Sequence, residues 1–257
     1  MMAYNNLGGI FNFNGDYQNS LSYRLKSMEI VEKLMPENYN NRAIIYLNIA
    51  SDYRQLKIPS KGIGYLNKTA GFFTKLSGRL KMEFYNEYYE NYISTDNTVK
   101  AISMLDSIQQ GLSGFDLSDF QKLDFSLMLA KLRGNHALKN QQNPDEALKQ
   151  FTSSLEFARK LENNQEINES LYNIGKVFLE KKAYKAAIPY LQEAYDSSAS
   201  QSLKNLAFKI SGSLAEAYTS TGQHVKANTY LRKSLELQLV IYDEDKTGEV
   251  SFLEARY

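Results

Sequence analysis

The segment Asp243 to Glu254, DEDKTGEVSFLE, has the residue types of a calcium-binding loop. It fits the EF-hand template D-x-D-x-[ST]-G-x5-E, in which carboxylate, hydroxyl and carbonyl oxygens surround the ion. Gly248 would make the sharp turn that this loop needs. The predicted calcium ligands are Asp243, Asp245, Thr247, Glu249 (through its carbonyl oxygen) and Glu254.

The same segment has a second interpretation as a loop that leads into another helix. The EF-hand motif occurs once in the sequence. The sequence ends three residues after the closing Glu254, so it contains no complete outgoing helix. "SFLEARY" is then the beginning of a helix that continues beyond this sequence. Calcium is the one cofactor that the sequence suggests, and both interpretations remain open.

Catalytic residue types are scarce. Cysteine is absent, which excludes disulfides, cysteine nucleophiles and cysteine-ligated zinc. The two histidines, His136 and His224, lie far apart in sequence, and no G-x-S-x-G nucleophile motif accompanies them. We therefore expect no enzymatic activity.

The glycine-rich stretch "NLGGIFNFNGDY" (Asn6 to Tyr17) could form a phosphate loop or the contact between two closely packed helices. A phosphate loop requires a preceding strand and a Lys-Ser/Thr or Gly-x-Gly spacing, and neither is present. Close packing assigns Gly8 to a helix contact and Gly15 to a turn. Gly9 has no packing role that the sequence reveals.

The aromatic run "FYNEYYENY" could be a stacking platform for bases or sugars, or part of a core. Its tyrosines Tyr85, Tyr88, Tyr89 and Tyr92 follow a spacing of three and four residues, which makes one stripe on a helix. This spacing favours core packing. Glu90 then faces the opposite side.

An internal repeat of about 40 residues positions all these residues. A small residue, a large apolar residue four places later and a small residue three places after that recur in register. The three best-matched sets are Ala147/Phe151/Ser154, Ala187/Leu191/Ala194 and Ala227/Leu231/Ser234. The pattern continues upstream with looser spacing, and we expect the irregular stretch Gln109 to Phe120 to be a longer loop between repeats.

The repeat resembles the tetratricopeptide repeat (TPR), a helix–turn–helix unit with small residues at its eighth, twentieth and twenty-seventh places. The opening stretch matches it from Tyr4 through Gly8, Phe11, Gly15 and Tyr17 to Ser27. The spacing of about 40 exceeds the family's standard 34, as in long-helix variants of bacterial regulators and kinesin-type adaptors. The resemblance implies an all-α fold: a right-handed α-α superhelix (solenoid) of about six repeats.

The expected organisation is a single array over residues 1–242, followed by a C-terminal loop and the start of a truncated helix at 243–257. The predicted repeats lie near 1–40, 41–80, 81–122, 123–164, 165–204 and 205–242. A repeat that begins at the third residue also leads us to expect that the sequence is a fragment of a longer protein.

By the resemblance, the concave face of the array binds protein or peptide segments. The residues that the family register places there are Arg54, Glu90, His136, Lys139, Tyr172, Lys176, Glu180 and Glu216. Their alternative role is that of solvated surface residues. The Lys and Asn set with which some TPR domains clamp a terminal carboxylate is not reproduced.

The implied function is the ligand-sensing or interaction region of a larger bacterial signalling or transcriptional regulator. The alternative is a free-standing adaptor for protein assembly. A net charge of +1 without a basic stripe argues against nucleic acid as a partner, and no apolar run is long enough for a membrane span. A homodimer is left open, and the location would be periplasmic for a sensor-regulator and otherwise cytoplasmic.

Overall fold

The computed structural model describes residues 1–200 and 203–256, and it describes side chains up to Asp243 except that of Ser200. Helices and turns make up this part of the chain, which contains no strand, so the all-α prediction is confirmed. The helices are α1 (Met2–Phe13), α2 (Tyr17–Leu34), α3 (Tyr39–Gln55), α4 (Pro59–Ala70), α5 (Gly78–Ile93), α6 (Thr98–Gly114), α7 (Asp119–Lys139), α8 (Pro144–Lys160), α9 (Asn164–Glu180), α10 (Tyr184–Ser200), α11 (Lys204–Ser220) and α12 (His224–Arg256). A 3-10 helix, Phe73–Lys75, lies between α4 and α5.

The helices form six helix–turn–helix pairs, and each odd-numbered helix is the first of its pair. A tight turn with one left-handed residue joins the two helices of every pair. Glycine supplies this conformation at Gly15 and Gly222, with φ of 78° and 74°. The other four turns use Lys57, Asp96, Gln142 and Lys182, which carry the steric cost of a Cβ.

The chain divides into two compact units, Met1–Phe125 and Ser126–Tyr257. The division falls within α7, shortly after the stretch for which a longer loop was expected. That expectation is largely wrong, because α6 continues to Gly114 and α7 begins at Asp119. The extra residues lengthen α7 to 21 residues instead of forming a loop.

The C-terminal unit shows how the repeated residues pack. Phe151 and Leu191 are fully buried, and each fills the space left by a glycine on the preceding helix. A Cβ at Gly134 would come within 2.6 Å of Phe151, and one at Gly175 within 2.5 Å of Leu191. The third member of this series, Leu231, is 49% exposed on α12, the last helix.

The N-terminal unit buries the tyrosine stripe as predicted. Tyr88 and Tyr89 are buried, and the partly buried Tyr85 and Tyr92 pack against the apolar cluster that contains Tyr46 and Tyr88. None of the helices in the described residues is both long and apolar enough to cross a membrane.

The end of the chain differs from the prediction. One continuous helix, α12, runs through the segment 243–254, for which a calcium loop was predicted. Glu, Lys and Leu favour helix, and the segment has no proline to stop it. The prediction of a loop at 243–254 and the prediction of a separate C-terminal segment at 243–257 are therefore wrong.

Candidate functional site

First helices of neighbouring pairs bring predicted groove residues together in the N-terminal unit. Arg54 on α3 lies between Glu87 and Glu90 on α5, with N–O distances of 3.8 and 3.9 Å. These ion pairs are long, and the Nε of Arg54 and the Oε2 of Glu87 are buried without a hydrogen-bond partner. Arg54 therefore forms only long ion pairs with the two carboxylates, and polar atoms of Arg54 and Glu87 stay without a hydrogen bond.

A buried ionic network lies among α1, α2 and α3, and sequence reasoning missed it. Asp52 on α3 is fully buried and accepts hydrogen bonds from Arg24 (2.6 Å), Ser20 (2.8 Å) and Asn12 (2.8 Å). Burial raises the pKa of Asp52 and lowers that of Arg24, while the attraction between the two opposes both shifts. Gly8 makes room for this pair, because a Cβ there would meet Arg24 Cγ at 2.7 Å.

Burial raises the pKa of Glu87 from 4.5 to about 7, although the nearby Arg54 opposes the shift. The folded state therefore holds a proton on Glu87 over a pH range in which the unfolded chain has lost it. Stability from this group is present at low pH and is lost as pH rises through about 7.

Glu87→Gln removes this titration. We therefore expect its free energy of unfolding, relative to that of the wild type, to rise by about 3 kcal/mol as the pH goes from 4 to 8. Urea unfolding of both proteins at the two pH values measures the difference. A difference that did not change with pH would show that Glu87 titrates normally.

In the C-terminal unit, Lys131 on α7 donates hydrogen bonds to Glu166 (2.6 Å) and Glu169 (2.8 Å) on α9. Burial lowers the pKa of Lys131, but the hydrogen bonds to Glu166 and Glu169 and the negative charges of these two residues together raise it above its ordinary value. One cation thereby pairs with two carboxylates and joins the adjacent first helices α7 and α9.

The predicted residues Tyr172, Lys176, Glu180 and Glu216 line one cavity of about 310 Å³ between α9 and α11. Lys176 lies 5.6 Å from the centre of the Tyr172 ring. Burial raises the pKa of Tyr172, and the Ser213 hydroxyl nearby opposes this shift. The size suits a bound peptide side chain or small group.

Lys176 lies among charges of both signs, and the lysines near it disfavour its protonated form. Burial lowers the pKa of its amine first, and the nearby Lys139 and Lys209 lower it further, while Glu180 opposes them. Lys139 itself is exposed at the end of α7. A negatively charged group entering the cavity would relieve this repulsion.

The two histidines have separate surroundings. His136 is only 5% exposed, so it is not the exposed groove residue that was expected. Its Nδ1 has no hydrogen-bond partner, and burial lowers its pKa, which favours the neutral ring. His224 is exposed at the start of α12.

The predicted calcium ligands all lie on α12. A helical backbone does not wrap around an ion as a 12-residue loop does. The side chains of Asp245, Thr247, Glu249 and Glu254 lie outside the described residues, so calcium binding stays a prediction.

Comparison with known proteins agrees with the helix–turn–helix repeats. Residues 127–200 match the model of the tetratricopeptide repeat family. No curated protein matches this chain significantly. The solved structures described next are 14–17% identical to this chain, so their similarity shows the fold alone.

Three solved structures illustrate this fold. Aspartyl phosphate phosphatase F from Bacillus subtilis is 16% identical with a TM-score of 0.69, over 89% of this chain and 64% of that one. BtubC from P. vanneervenii is 14% identical with a TM-score of 0.63, over 88% and 92%. The apo quorum sensor NprR from B. thuringiensis is 17% identical with a TM-score of 0.61, over 91% and 75%. This chain thus spans about two thirds of the phosphatase's length.

Proposed function

We propose that this chain, which carries tetratricopeptide repeats, is a non-catalytic module that binds a protein segment in the cavity between α9 and α11. The observation that carries the proposal is the convergence of Tyr172, Lys176, Glu180 and Glu216 on one cavity. The repeat register predicted these four residues for a binding face, and neighbouring first helices supply them. Groove recognition of an extended segment uses side chains from several such elements.

The charges of the cavity indicate which segment fits. Lys176 has the like-charged Lys139 and Lys209 nearby, so an acidic side chain of the segment would pair with it. The ring of Tyr172 offers an apolar face beside that amine. Glu180 and Glu216 can accept hydrogen bonds from main-chain or side-chain N–H groups farther along.

The proposal predicts that Lys176→Ala weakens peptide binding by about tenfold, the loss expected for one charge-assisted contact. Peptides selected on the wild-type chain from a library of twelve-residue sequences provide the probe, and fluorescence anisotropy gives the dissociation constant. Tyr172→Ala should weaken binding to a similar extent.

Lys185→Ala is the matched control, because Lys185 is an exposed lysine on the second helix α10. Its dissociation constant should equal that of the wild type. The proposal would be wrong if the library yielded no binder, or if Lys176→Ala and Lys185→Ala bound the selected peptides equally well.

We propose further that this binding serves a larger bacterial signalling or transcriptional regulator. The support is the long-helix repeat and a fold shared with NprR, which is described as a quorum sensor. The sequence of the intact gene tests the proposal: an encoded output domain would support it, and a gene encoding only the repeats would favour a free-standing adaptor.

A further inference from the structure

The last helix, α12, carries an exposed apolar stripe. Its members are spaced by four, four and three residues, so at 3.6 residues per turn they lie within about 80° of one another. They are Leu231, Leu235, Leu239 and Tyr242, which are 49%, 62%, 64% and 54% exposed. A contiguous apolar surface of this kind on a folded chain indicates an interaction site.

The repeat shows that this stripe is a packing surface without a partner helix. Leu191 and Tyr195 on α10 stand 40 residues before Leu231 and Leu235, and both are buried. The helix α10 packs against both α9 and α11, whereas α12 makes its main contacts with α11. Within the described residues no helix takes the place beside α12 that α11 takes beside α10. The stripe therefore lies where a further helix would pack.

The described chain does not turn back at this place to cover the stripe. In the preceding repeat α10 ends at Ser200, and the next first helix, α11, begins at Lys204. Forty residues later, at the equivalent position, α12 is still helical, and it extends to Arg256. The described residues therefore leave room for a helix from another molecule.

Charges along one edge of the stripe suit an antiparallel second copy. Arg232 and Asp243 are both exposed and lie on the same edge, at roughly equal distances on either side of Leu237. A two-fold axis at the level of Leu237 would place Arg232 of one copy beside Asp243 of the other, and this pairing would occur twice. The same axis places Leu235 of each copy opposite Leu239 of the other.

A parallel pair of copies fits these charges less well. It would set Arg232 beside Arg232 and Asp243 beside Asp243, and like charges across an interface repel each other. An antiparallel pair joins the same surface of both copies, which is the closed two-fold arrangement that most homodimers use. The charges of α12 therefore favour the antiparallel direction.

We propose that the stripe of α12 binds the same stripe of a second copy, so that two chains form a dimer through an antiparallel helix pair. The apolar contacts of Leu235 and Leu239 supply most of the affinity, and the Arg232–Asp243 pairs fix the direction. Because the interface is small, we expect a dissociation constant of about 10 μM. The dimer does not depend on what the cavity between α9 and α11 binds.

Sedimentation equilibrium of the full chain, from about 1 to about 200 μM, tests the dimer. Leu235→Glu should weaken dimerisation at least about thirtyfold, because it buries a carboxylate in an apolar contact. Val240→Glu is the matched control, because Val240 is an exposed apolar residue of α12 that lies outside the stripe. It should dimerise as the wild type does. A wild-type chain that stayed monomeric at the highest concentration, or equal dissociation constants for the two variants, would overturn the proposal.

Charge reversal tests the direction of the pair. Arg232→Asp should weaken dimerisation about tenfold, because it sets two carboxylates together at both ends of the interface. The double variant Arg232→Asp/Asp243→Arg restores opposite charges and should recover the wild-type dissociation constant. A double variant that dimerised no better than Arg232→Asp would contradict the antiparallel pairing.

Cross-linking reports the same geometry directly, because the chain contains no cysteine of its own. Arg232→Cys and isotope-labelled Asp243→Cys are mixed, treated with a short bis-maleimide and analysed by mass spectrometry. We expect the cross-links to join mainly one variant to the other. Cross-links mainly within each variant would show a parallel pair, and no cross-link would show that α12 is not the interface. Either result would overturn the proposal.

Discussion

Replacing Asp52 with alanine is expected to destabilise the N-terminal unit by about 3–5 kcal/mol. Asp52 is fully buried and is the ion-pair partner of Arg24, whose buried charge would then lose the carboxylate that it contacts. Ser20 and Asn12 would also lose the carboxylate that accepts their hydrogen bonds. Hydrogen exchange of the α1, α2 and α3 amides measures the loss for this unit separately.

The double variant Arg24→Met/Asp52→Leu separates an uncompensated charge from simple loss of contacts. Replacing a buried ion pair by apolar residues of similar volume is often neutral or stabilising. We therefore expect the double variant to recover most of the stability that Asp52→Ala loses. A double variant as unstable as the single one would show that the network matters for reasons other than its charges.

Replacing Phe151 with alanine is expected to destabilise the C-terminal unit by about 3–5 kcal/mol. The ring is fully buried and packs on Gly134, whose missing side chain makes the space that the ring fills. Removal of the ring leaves a cavity between two helices that backbone packing holds apart. Urea unfolding followed by circular dichroism measures the change.

Phe120→Ala is the control for this prediction, because Phe120 is 69% exposed. It should change the free energy of unfolding by no more than about 0.5 kcal/mol. A loss of less than about 1 kcal/mol for Phe151→Ala would contradict the packing described for Gly134 and Phe151.

The repeat spacing predicted the helix pairs and their apolar contacts well. Ala147, Phe151 and Ser154 all proved fully buried, because helix–helix contact imposes the same size requirement in each repeat. The series failed at Leu231. A residue at a packing position becomes buried only if other helices cover it, and within the described residues no helix follows α12 to cover Leu231.

The polar interior was harder to predict than the apolar one. Arg24 and Asp52 are 28 residues apart, and nothing in the sequence distinguishes them from ordinary surface charges. Their burial depends on how α1, α2 and α3 pack, which residue types alone do not reveal.

The central claim is that first helices α9 and α11 hold a protein segment. Hydrogen–deuterium exchange of the wild-type chain, with and without a library-selected peptide, tests it directly. We predict that added protection is greatest in the stretches of α9 and α11 that contain Tyr172, Lys176 and Glu216. Protection greatest in the second helix α8 (Pro144–Lys160), or no protection in α9 and α11, would contradict the claim.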